Sequence, residues 1–294
     1  MPGLRTYEGS VAIVTGAASG IGKAIALELA RRGCKVMIAD IDVAESDAVV
    51  AAIHVSGGRA SASALDVADH SAVKALVDRT MADSGRLDYL FNNAGIGVTG
   101  DAAEYTLESW RRIVEVNFMG VVHGVHAAYP TMIHQGFGHI VNIASTAGLL
   151  PSPSMVSYSA TKHAVVGLSR ALRAEAHSHG VRVSVVCPGV IRTPILQGGK
   201  HGILLMPLAE AEQRKFIGEF FEAYRPMDPD VFARRLLDRV ARNQGTIVIP
   251  GWWKLLWWLD RLLPGACAFG ARRRFERDRR RLADRLANMP RSGS

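Results

Sequence analysis

The chain of 294 residues contains few cysteines and few aromatic residues. Cys34, Cys187 and Cys267 have no spacing typical of a metal or redox site, and aromatic residues make up only 7%. We therefore expect reduced thiols in a cytoplasmic protein, without disulfide bonds. The N-terminal segment Met-Pro-Gly-Leu-Arg-Thr-Tyr-Glu has no apolar run of the kind found in secretion signals, so secretion is not expected.

Histidine is more frequent, with ten residues, and it raises the question of a metal site. His123 and His126 lie three positions apart on a predicted helix, a spacing that places both side chains on one face. No matching group of acidic residues or cysteines accompanies them, so the sequence predicts no metal. His163 is expected to be structural.

Hydrophobic residues make up 48% of the chain, enough for a large core in a single soluble domain. Apolar runs typical of strands alternate with helical patterns, as in a doubly wound parallel α/β sheet of about seven strands with helices on both faces. The predicted strands are 10–15, 35–40, 61–65, 87–92, 139–144, 181–187 and 246–249, and the helical patterns include 106–134 and 154–177.

A glycine-rich turn follows the first strand. The segment 10–15 is apolar and β-branched, and it leads into Gly16-Ala-Ala-Ser-Gly20-Ile-Gly22 and then into a helical pattern. Glycines let the backbone approach a pyrophosphate, and the helix start supplies N–H groups and a partial positive charge. The spacing differs from the more familiar Gly-x-Gly-x-x-Gly, but its position predicts a Rossmann-type dinucleotide site.

The second strand ends in Asp40, eighteen residues after Gly22. A carboxylate there accepts hydrogen bonds from both ribose hydroxyls and repels a 2′-phosphate. Ile41-Asp42-Val43 follows, with no Arg or Lys, so the sequence favours NAD, with NADP the less favoured cofactor.

Tyr158 and Lys162 stand four residues apart on a predicted helix, thirteen positions after Ser145. The ammonium can then lie beside the phenol on one helix face. A free phenol has a pKa of about 10, and a neighbouring cation lowers it towards the working range of a base. Ser145, at the end of a predicted strand, could hydrogen-bond a substrate oxygen. The three residues predict proton transfer to or from an alcohol or carbonyl.

Taken together, these motifs resemble the short-chain dehydrogenase/reductase family over residues 8 to about 250. Seven motifs occur in the order found in the family: Thr15-Gly16 to Gly22, Asp66-Val67, Asn92-Asn93-Ala94-Gly95, Asn117, the Ser145–Tyr158–Lys162 set, Pro188-Gly189 and Thr193. The resemblance implies that Tyr158 and Lys162 contact the cofactor together with Gly16, Ser19, Gly20, Ile21, Gly22, Asp40, Asp66, Val67, Asn93, Ala94, Gly95, Pro188, Gly189, Val190, Ile191 and Thr193.

The resemblance also implies four catalytic roles. Tyr158 would be the acid or base on the substrate oxygen, and Ser145 would hold that oxygen. Lys162 would lower the pKa of Tyr158 and bind the nicotinamide ribose. Asn117 would hold a water that links Lys162 to solvent.

Substrate choice is expected to depend on a lid at about 194–227. Its first residues look mobile, its middle is apolar, and a helix with clustered aromatics is expected to begin at Lys215. Leu149, Leu150, Met155 and Val156 flank the catalytic positions and are also apolar. A dry pocket of this kind favours a lipophilic secondary alcohol or ketone, such as a steroid, retinoid or fatty alcohol. The alternative is that these residues only pack the lid.

The C-terminal extension, residues 251–294, departs from the usual family length. Residues 252–263 are apolar apart from Lys254, Asp260 and Arg261, and 271–294 carry nine Arg against three acidic residues. Three interpretations remain open: peripheral membrane contact, packing on the domain or on another subunit, and nucleic-acid binding. The last is disfavoured because Glu276, Asp278 and Asp284 interrupt the arginines.

The sequence therefore predicts a single domain over 1–250 followed by this extension, in a cytoplasmic homodimer or homotetramer that binds no nucleic acid. The predicted activity is NAD-dependent oxidation of a lipophilic alcohol or the reverse reduction. A 3-oxoacyl thioester reductase and a non-catalytic NAD(H)-binding protein that docks through the extension are the alternatives.

Overall fold

The computed structural model describes residues 3–287. Nine strands occur in this part of the chain: β1 (Val11–Thr15), β2 (Lys35–Asp40), β3 (Arg59–Ala64), β4 (Tyr89–Asn92), β5 (Val98–Gly100), β6 (Gly138–Ile143), β7 (Val181–Pro188), β8 (Ile203–Leu205) and β9 (Thr246–Ile249). The α-helices of the same residues are α1 (Gly20–Arg31), α2 (Val43–Val55), α3 (His70–Ser84), α4 (Leu107–Val114), α5 (Gly120–Gln135), α6 (Val156–Ala176), α7 (Glu210–Glu222), α8 (Pro229–Ala241), α9 (Trp253–Leu262) and α10 (Pro264–Ala287).

Seven strands form one parallel sheet in the order β3-β2-β1-β4-β6-β7-β9. The chain winds outward from β1 to β3 and then crosses back to β4 on the other side of β1. In such sheets, ligands bind outside the carboxyl ends of the strands at the point where the winding direction reverses. The predicted Rossmann-type fold class and strand number are confirmed, and the sheet order directs attention to the ends of β1 and β4.

Helices cover both faces of the sheet because successive side chains of each buried strand point to opposite sides. Ala12 and Val14 of β1 pack with residues of α1, α2 and α8, whereas Ile13 packs with residues of α3 and α5 on the other face. A third cluster joins α6 to β7 and β9 and reaches Trp253 and Trp257 of α9. The predicted alternation of strands and helices thus gives a three-layer core.

Two local predictions need correction. The helical pattern 106–134 is divided into α4 and α5 by a wider π turn at Glu115–Met119. The lid helix α7 begins at Glu210, five residues before the predicted Lys215. The apolar middle of the lid contains a strand that was not predicted, β8, which pairs in parallel with β5 in a small second sheet. This pairing could not be predicted because each strand has only three residues.

The described part of the C-terminal extension forms α9 and α10, which follow directly on β9. Within residues 3–287, none of the helices is both long and apolar enough to cross a membrane.

Candidate active site

A cavity of about 1370 Å³ opens at the carboxyl ends of β1, β4, β6 and β7. Single ligands of drug size occupy pockets of about 300–1,000 Å³, so this cavity has room for a dinucleotide and a second molecule. All of the predicted site residues line it except two, Gly22 and Asn117. The structure thus brings together predicted residues from seven segments of the sequence: 16–21, 40, 66–67, 93–95, 145, 158–162 and 188–193.

The glycines of the first turn are required by close backbone contacts. A Cβ at Gly22 would lie 2.0 Å from the carbonyl oxygen of Gly16, and a Cβ at Gly16 would lie 2.7 Å from Cα of Ala94. Gly16 and Gly20 also have φ of +63° and +55°, which disfavour other residues. Ser19 at the start of α1 makes no side-chain cap hydrogen bond, and Ser19, Gly20 and Ile21 line the cavity. The start of a helix can bind a pyrophosphate through its N–H groups. Gly22 lies behind this wall rather than in it.

Thr15 and Asn93 connect the glycine turn to the loop after β4. The Thr15 hydroxyl accepts hydrogen bonds from the N–H groups of Asn93 and Ala94, at 3.0 and 3.1 Å. The Asn93 side chain donates to the carbonyl oxygens of Thr15 and Gly16, at 2.9 and 3.0 Å. These bonds fix the two walls of the cavity relative to each other.

Asp40 lies at the end of β2, where its carboxylate accepts a hydrogen bond from the N–H of Ala18, at 2.9 Å. Its neighbour Asp42 pairs with Lys200 of the lid, and this ammonium lowers the pKa of the Asp42 carboxyl. Sequence reasoning missed Lys200, which is 158 positions away from Asp42. A cation therefore lies near the predicted ribose end, but it is already neutralised by a carboxylate.

The remaining predicted cofactor residues line the cavity in the segments after β3 and β7. Asp66 accepts a hydrogen bond from the N–H of Ala68, at 2.9 Å, and Val67 is buried. After β7, Gly189 donates its N–H to the carbonyl of Ile249, at 2.8 Å. A Cβ at Gly189 would lie 2.1 Å from Nε1 of Trp253, so this glycine lets α9 pack directly on the segment after β7.

Tyr158, Lys162 and Ser145 meet in the middle of the cavity. The Lys162 ammonium lies 5.5 Å from the centre of the Tyr158 ring and donates to the carbonyl of Ile143, at 3.0 Å. Burial lowers the pKa of Lys162 to about 8. Burial raises the pKa of Tyr158, and a hydrogen bond with Ser145 partly offsets this. The predicted lowering of the Tyr158 pKa by Lys162 stays a prediction.

Asn117 is fully buried behind this group, within the π turn. Its side chain accepts a hydrogen bond from the N–H of Ile96, at 2.8 Å, and donates to the carbonyl of Ile96, at 2.9 Å. A Cβ at Gly95 would lie 3.2 Å from Asn117 Oδ1 and 3.5 Å from Lys162 Nζ, so all three groups are close. π turns often occur at functional sites. The water relay implied for Asn117 stays a prediction.

The outer part of the cavity is lined mainly by apolar side chains. Leu150 and Met155 flank the catalytic group as predicted, whereas Leu149 and Val156 do not line the cavity. Further apolar lining comes from the lid, α9 and α10: Ile195, Leu204, Met206, Phe216, Ile217, Phe220, Phe221, Trp253, Leu256, Phe275, Leu282 and Leu286.

Helix α10 is the part of the site that the sequence prediction left undecided. Arg285 pairs with Glu219 and Glu212 of α7, at 3.2 and 3.4 Å, and Arg279 approaches Asp101, after β5, at 4.0 Å. Arg274 donates to the Tyr224 hydroxyl, at 2.6 Å. These contacts place α10 across the mouth of the cavity.

A sequence signal for this arrangement existed in the spacing of small and apolar residues within the arginine-rich segment. Ala271, Phe275, Leu282 and Leu286 are separated by four, seven and four positions, which places them on one helix face. Such a stripe indicates that one side of an otherwise charged helix is covered.

Three histidines, His70, His123 and His126, lie next to one another. His70 lies 3.0 Å from His126 between ring nitrogens, and its ring is 5.4 Å from that of His123. Across residues 3–287, no group of three or more His, Cys, Asp or Glu is arranged to hold a metal ion. His163 is exposed and bonds the Ser159 carbonyl of its own helix.

Comparison with known proteins places this site in context. The short chain dehydrogenase family model matches residues 10–202. Cyclohexanol dehydrogenase of Acinetobacter sp. is 39% identical over 191 residues, 65% of this chain and 76% of that protein. The 2,5-dichloro-2,5-cyclohexadiene-1,4-diol dehydrogenase of Sphingobium indicum is 44% identical over 196 residues, 66% of this chain and 77% of that protein.

Two solved structures are also similar. A short chain dehydrogenase/reductase from Burkholderia phymatum in complex with NAD has a TM-score of 0.82 and 30% identity, covering 89% of this chain and 96% of that one. A metagenomic short-chain oxidoreductase in complex with NADP has a TM-score of 0.61 and 37% identity, covering 64% of this chain and 86% of that one. The chain therefore belongs to the short-chain dehydrogenase family, and it is an oxidoreductase with the nicotinamide-binding fold of that family.

Proposed function

We propose that this protein is an NAD-dependent oxidoreductase that acts on a lipophilic secondary alcohol or the corresponding ketone. One observation carries the proposal: Tyr158, Lys162 and Ser145 share a cavity with two other features. The glycine turn after β1 (16–21), here called the glycine cradle, lies at one end. The apolar residues of the lid, α9 and α10, here called the chamber, lie at the other. The cradle suits a dinucleotide, and the chamber suits a steroid, a retinoid, a fatty alcohol or a smaller cyclic alcohol.

Our choice of NAD over NADP rests on Asp40. A carboxylate at this position accepts ribose hydroxyls and repels a 2′-phosphate. Lys200 is the nearby cation that could favour a phosphate, but its charge is engaged by Asp42. Similar structures bind NAD in one case and NADP in the other, so the preference is a proposal to be measured.

In the proposed reaction, the nicotinamide accepts or supplies a hydride, and the protein handles the proton and the position of the substrate. Tyr158 takes the alcohol proton during oxidation and returns it during reduction. Ser145 hydrogen-bonds the same oxygen. Lys162, with a pKa of about 8, is largely protonated at neutral pH, and its charge favours the phenolate. Asn117 holds a water that links Lys162 to solvent for proton relay.

The substrate class is supported by the chamber and by two relatives. Those relatives are named for oxidation of cyclohexanol and of a chlorinated cyclohexadiene diol, both of which are ring alcohols. The chamber here has aromatic walls from the lid, with Phe220 and Phe221 in edge contact and Tyr224 next to Phe220. The apolar faces of ring alcohols can pack against such aromatic walls.

Two other functions are kept as alternatives. A 3-oxoacyl thioester reductase would use the same catalytic group on a chain-like substrate, and the NAD preference argued from Asp40 counts against it. A non-catalytic NAD(H)-binding protein would have no need for the Ser145–Tyr158–Lys162 arrangement.

The proposal also includes the setting of the enzyme. It is a cytoplasmic homodimer or homotetramer of single-domain subunits (1–250), with peripheral membrane contact through the extension.

The test is NADH formation with a panel of alcohols: cyclohexanol, a hydroxysteroid, retinol, a long-chain secondary alcohol and a short diol. We expect turnover with at least one lipophilic alcohol and a higher kcat/KM with NAD than with NADP. A 3-oxoacyl thioester with NADH and NADPH forms the opposing arm. Turnover only in that arm would support the first alternative, and NAD binding without turnover in any arm would support the second.

A further inference from the structure

The extension carries a concentrated patch of exposed hydrophobic side chains. Of the twelve large hydrophobic residues exposed within residues 3–287, seven lie between 252 and 269. We define this outer apolar face as Trp252, Leu255, Trp258, Leu259, Leu262, Leu263 and Phe269. Exposed patches of this kind, rimmed by polar residues, mark interaction sites.

The patch is separate from the packing of α9 on the domain. Trp253, Leu256 and Trp257 are spaced i, i+3, i+4 and turn inward, where Trp253 abuts Gly189 and Leu256 lines the cavity. Leu255 and Leu262 are 73% exposed and lie on the opposite side of the helix. The fold therefore uses one side of α9 and leaves the other side in water.

Basic residues border the outer apolar face. Lys254 and Arg261 are seven positions apart, two helical turns, and so share one flank of α9. The guanidinium groups of Arg272 and Arg273 lie 5.9 and 5.2 Å from the Phe269 ring centre. The segment 252–294 has eleven Lys and Arg against four Asp and Glu, a net +7 of the total +8 of the chain.

The positive charge around the outer apolar face decides which partner can cover it. A second copy of the chain in a two-fold contact would bring the same patch, and hence the same arginines, against each other. An anionic lipid surface would instead neutralise the arginines and lysine while the tryptophan and leucine side chains enter the interface. Tryptophan is favoured at that depth because its ring is apolar and its N–H is polar.

We propose that the outer apolar face docks on the surface of an anionic lipid bilayer. The proposal deepens the peripheral membrane contact proposed above by naming the surface and the lipid charge it needs. Because α9 and α10 also line the chamber on their inner sides, docking would bring a lipid-dissolved substrate next to the site.

The experiment is flotation of the full chain with vesicles of phosphatidylcholine alone and of phosphatidylcholine mixed with phosphatidylglycerol. The test variant is Leu255→Glu/Leu262→Glu. The matched control is Val55→Glu/Leu107→Glu, which adds the same charge at residues that are 91% and 73% exposed and lie outside the outer apolar face. NADH binding and thermal unfolding confirm that each variant is folded. We expect the wild type and the control to float only with anionic vesicles, and the test variant to bind at least about tenfold more weakly.

Failure of wild-type binding to anionic vesicles at low salt would overturn the proposal. Equal binding to neutral vesicles, or unchanged binding by the test variant, would also overturn it. A wild type that is dimeric through this face, and becomes monomeric in the test variant, would assign the face to a second copy instead. None of these readouts uses turnover, so a failure here is distinguishable from a failure of the proposed oxidation.

Discussion

The glycine cradle and the C-terminal helices form two ends of one cavity but are held by different forces. The cradle lies on a sheet whose strands β1 and β4 are fully buried, and its loops are locked by hydrogen bonds of Thr15 and Asn93. Helix α10 is held by exposed ion pairs of Arg279 and Arg285 and by the Arg274–Tyr224 contact. Buried packing and fixed backbone geometry are worth much more than exposed ion pairs.

The difference suggests that the two ends of the cavity have different functions. Cofactor position and proton transfer need fixed geometry, and they occur on the rigid end. Substrate choice and membrane contact can be carried by the weakly held end, which can adapt its shape to different lipophilic molecules. Changes at the rigid end should therefore affect rate and folding strongly, whereas changes at the other end should affect substrate KM modestly.

The largest effect is expected from Tyr158→Phe. Loss of the hydroxyl removes the proton acceptor while leaving the ring packed, so kcat should fall by at least about 10²–10⁴-fold. NADH affinity, measured by fluorescence titration, should stay within about twofold, because the change is local.

Tyr129→Phe serves as the control, since Tyr129 is half-buried on α5 and its ring contacts His179. Retention of turnover by Tyr158→Phe would overturn the role of Tyr158 and leave Ser145 or a solvent molecule as the proton carrier.

The second prediction compares folding stability at the two ends. Phe232 on α8 is fully buried against the sheet, and Phe232→Ala should cost about 3–5 kcal/mol in urea unfolding. Trp258 on α9 is 57% exposed, and Trp258→Ala should change stability by less than about 1 kcal/mol in the absence of lipid. A large loss for Trp258→Ala would mean that another subunit covers α9 in solution, which would contradict the free outer face.

The rigid end could be predicted from sequence because local rules determine it. Each feature there meets one local requirement. The apolar run 10–15 suits a buried strand, the three glycines after it allow a close backbone turn, and Asp40 stands at the end of a strand. The predicted strands agree with the observed ones to within a few residues, and most predicted site residues line the cavity.

The other end resisted prediction because its contacts join distant residues. Nothing near Asp42 in sequence indicates its partner Lys200, and nothing near Arg285 indicates Glu212 or Glu219. The small sheet of β5 and β8 joins two three-residue strands about a hundred positions apart, too short to carry a periodic pattern. Asn117 was predicted as a catalytic residue, but the π turn around it was not, because a π turn adds one residue without a clear sequence pattern.

The smallest effect is expected from removing two of the three arginines by which α10 reaches across the cavity, Arg279 and Arg285. Arg279 is 68% exposed in its ion pair with Asp101, and exposed pairs contribute about 0.2–1 kcal/mol each. Arg279→Ala/Arg285→Ala should therefore raise KM for a lipophilic alcohol by up to about tenfold, with kcat and KM for NAD nearly unchanged. Arg272→Ala/Arg277→Ala is the matched control, since the ion pairs of Arg272 with Glu276 and of Arg277 with Asp278 lie within α10 itself.

If both double variants changed KM equally, the net charge of α10 rather than its attachment would determine substrate binding. If the first variant instead lost kcat and NAD affinity together, the weakly held end would be part of the rigid one, and the contrast between them would fail.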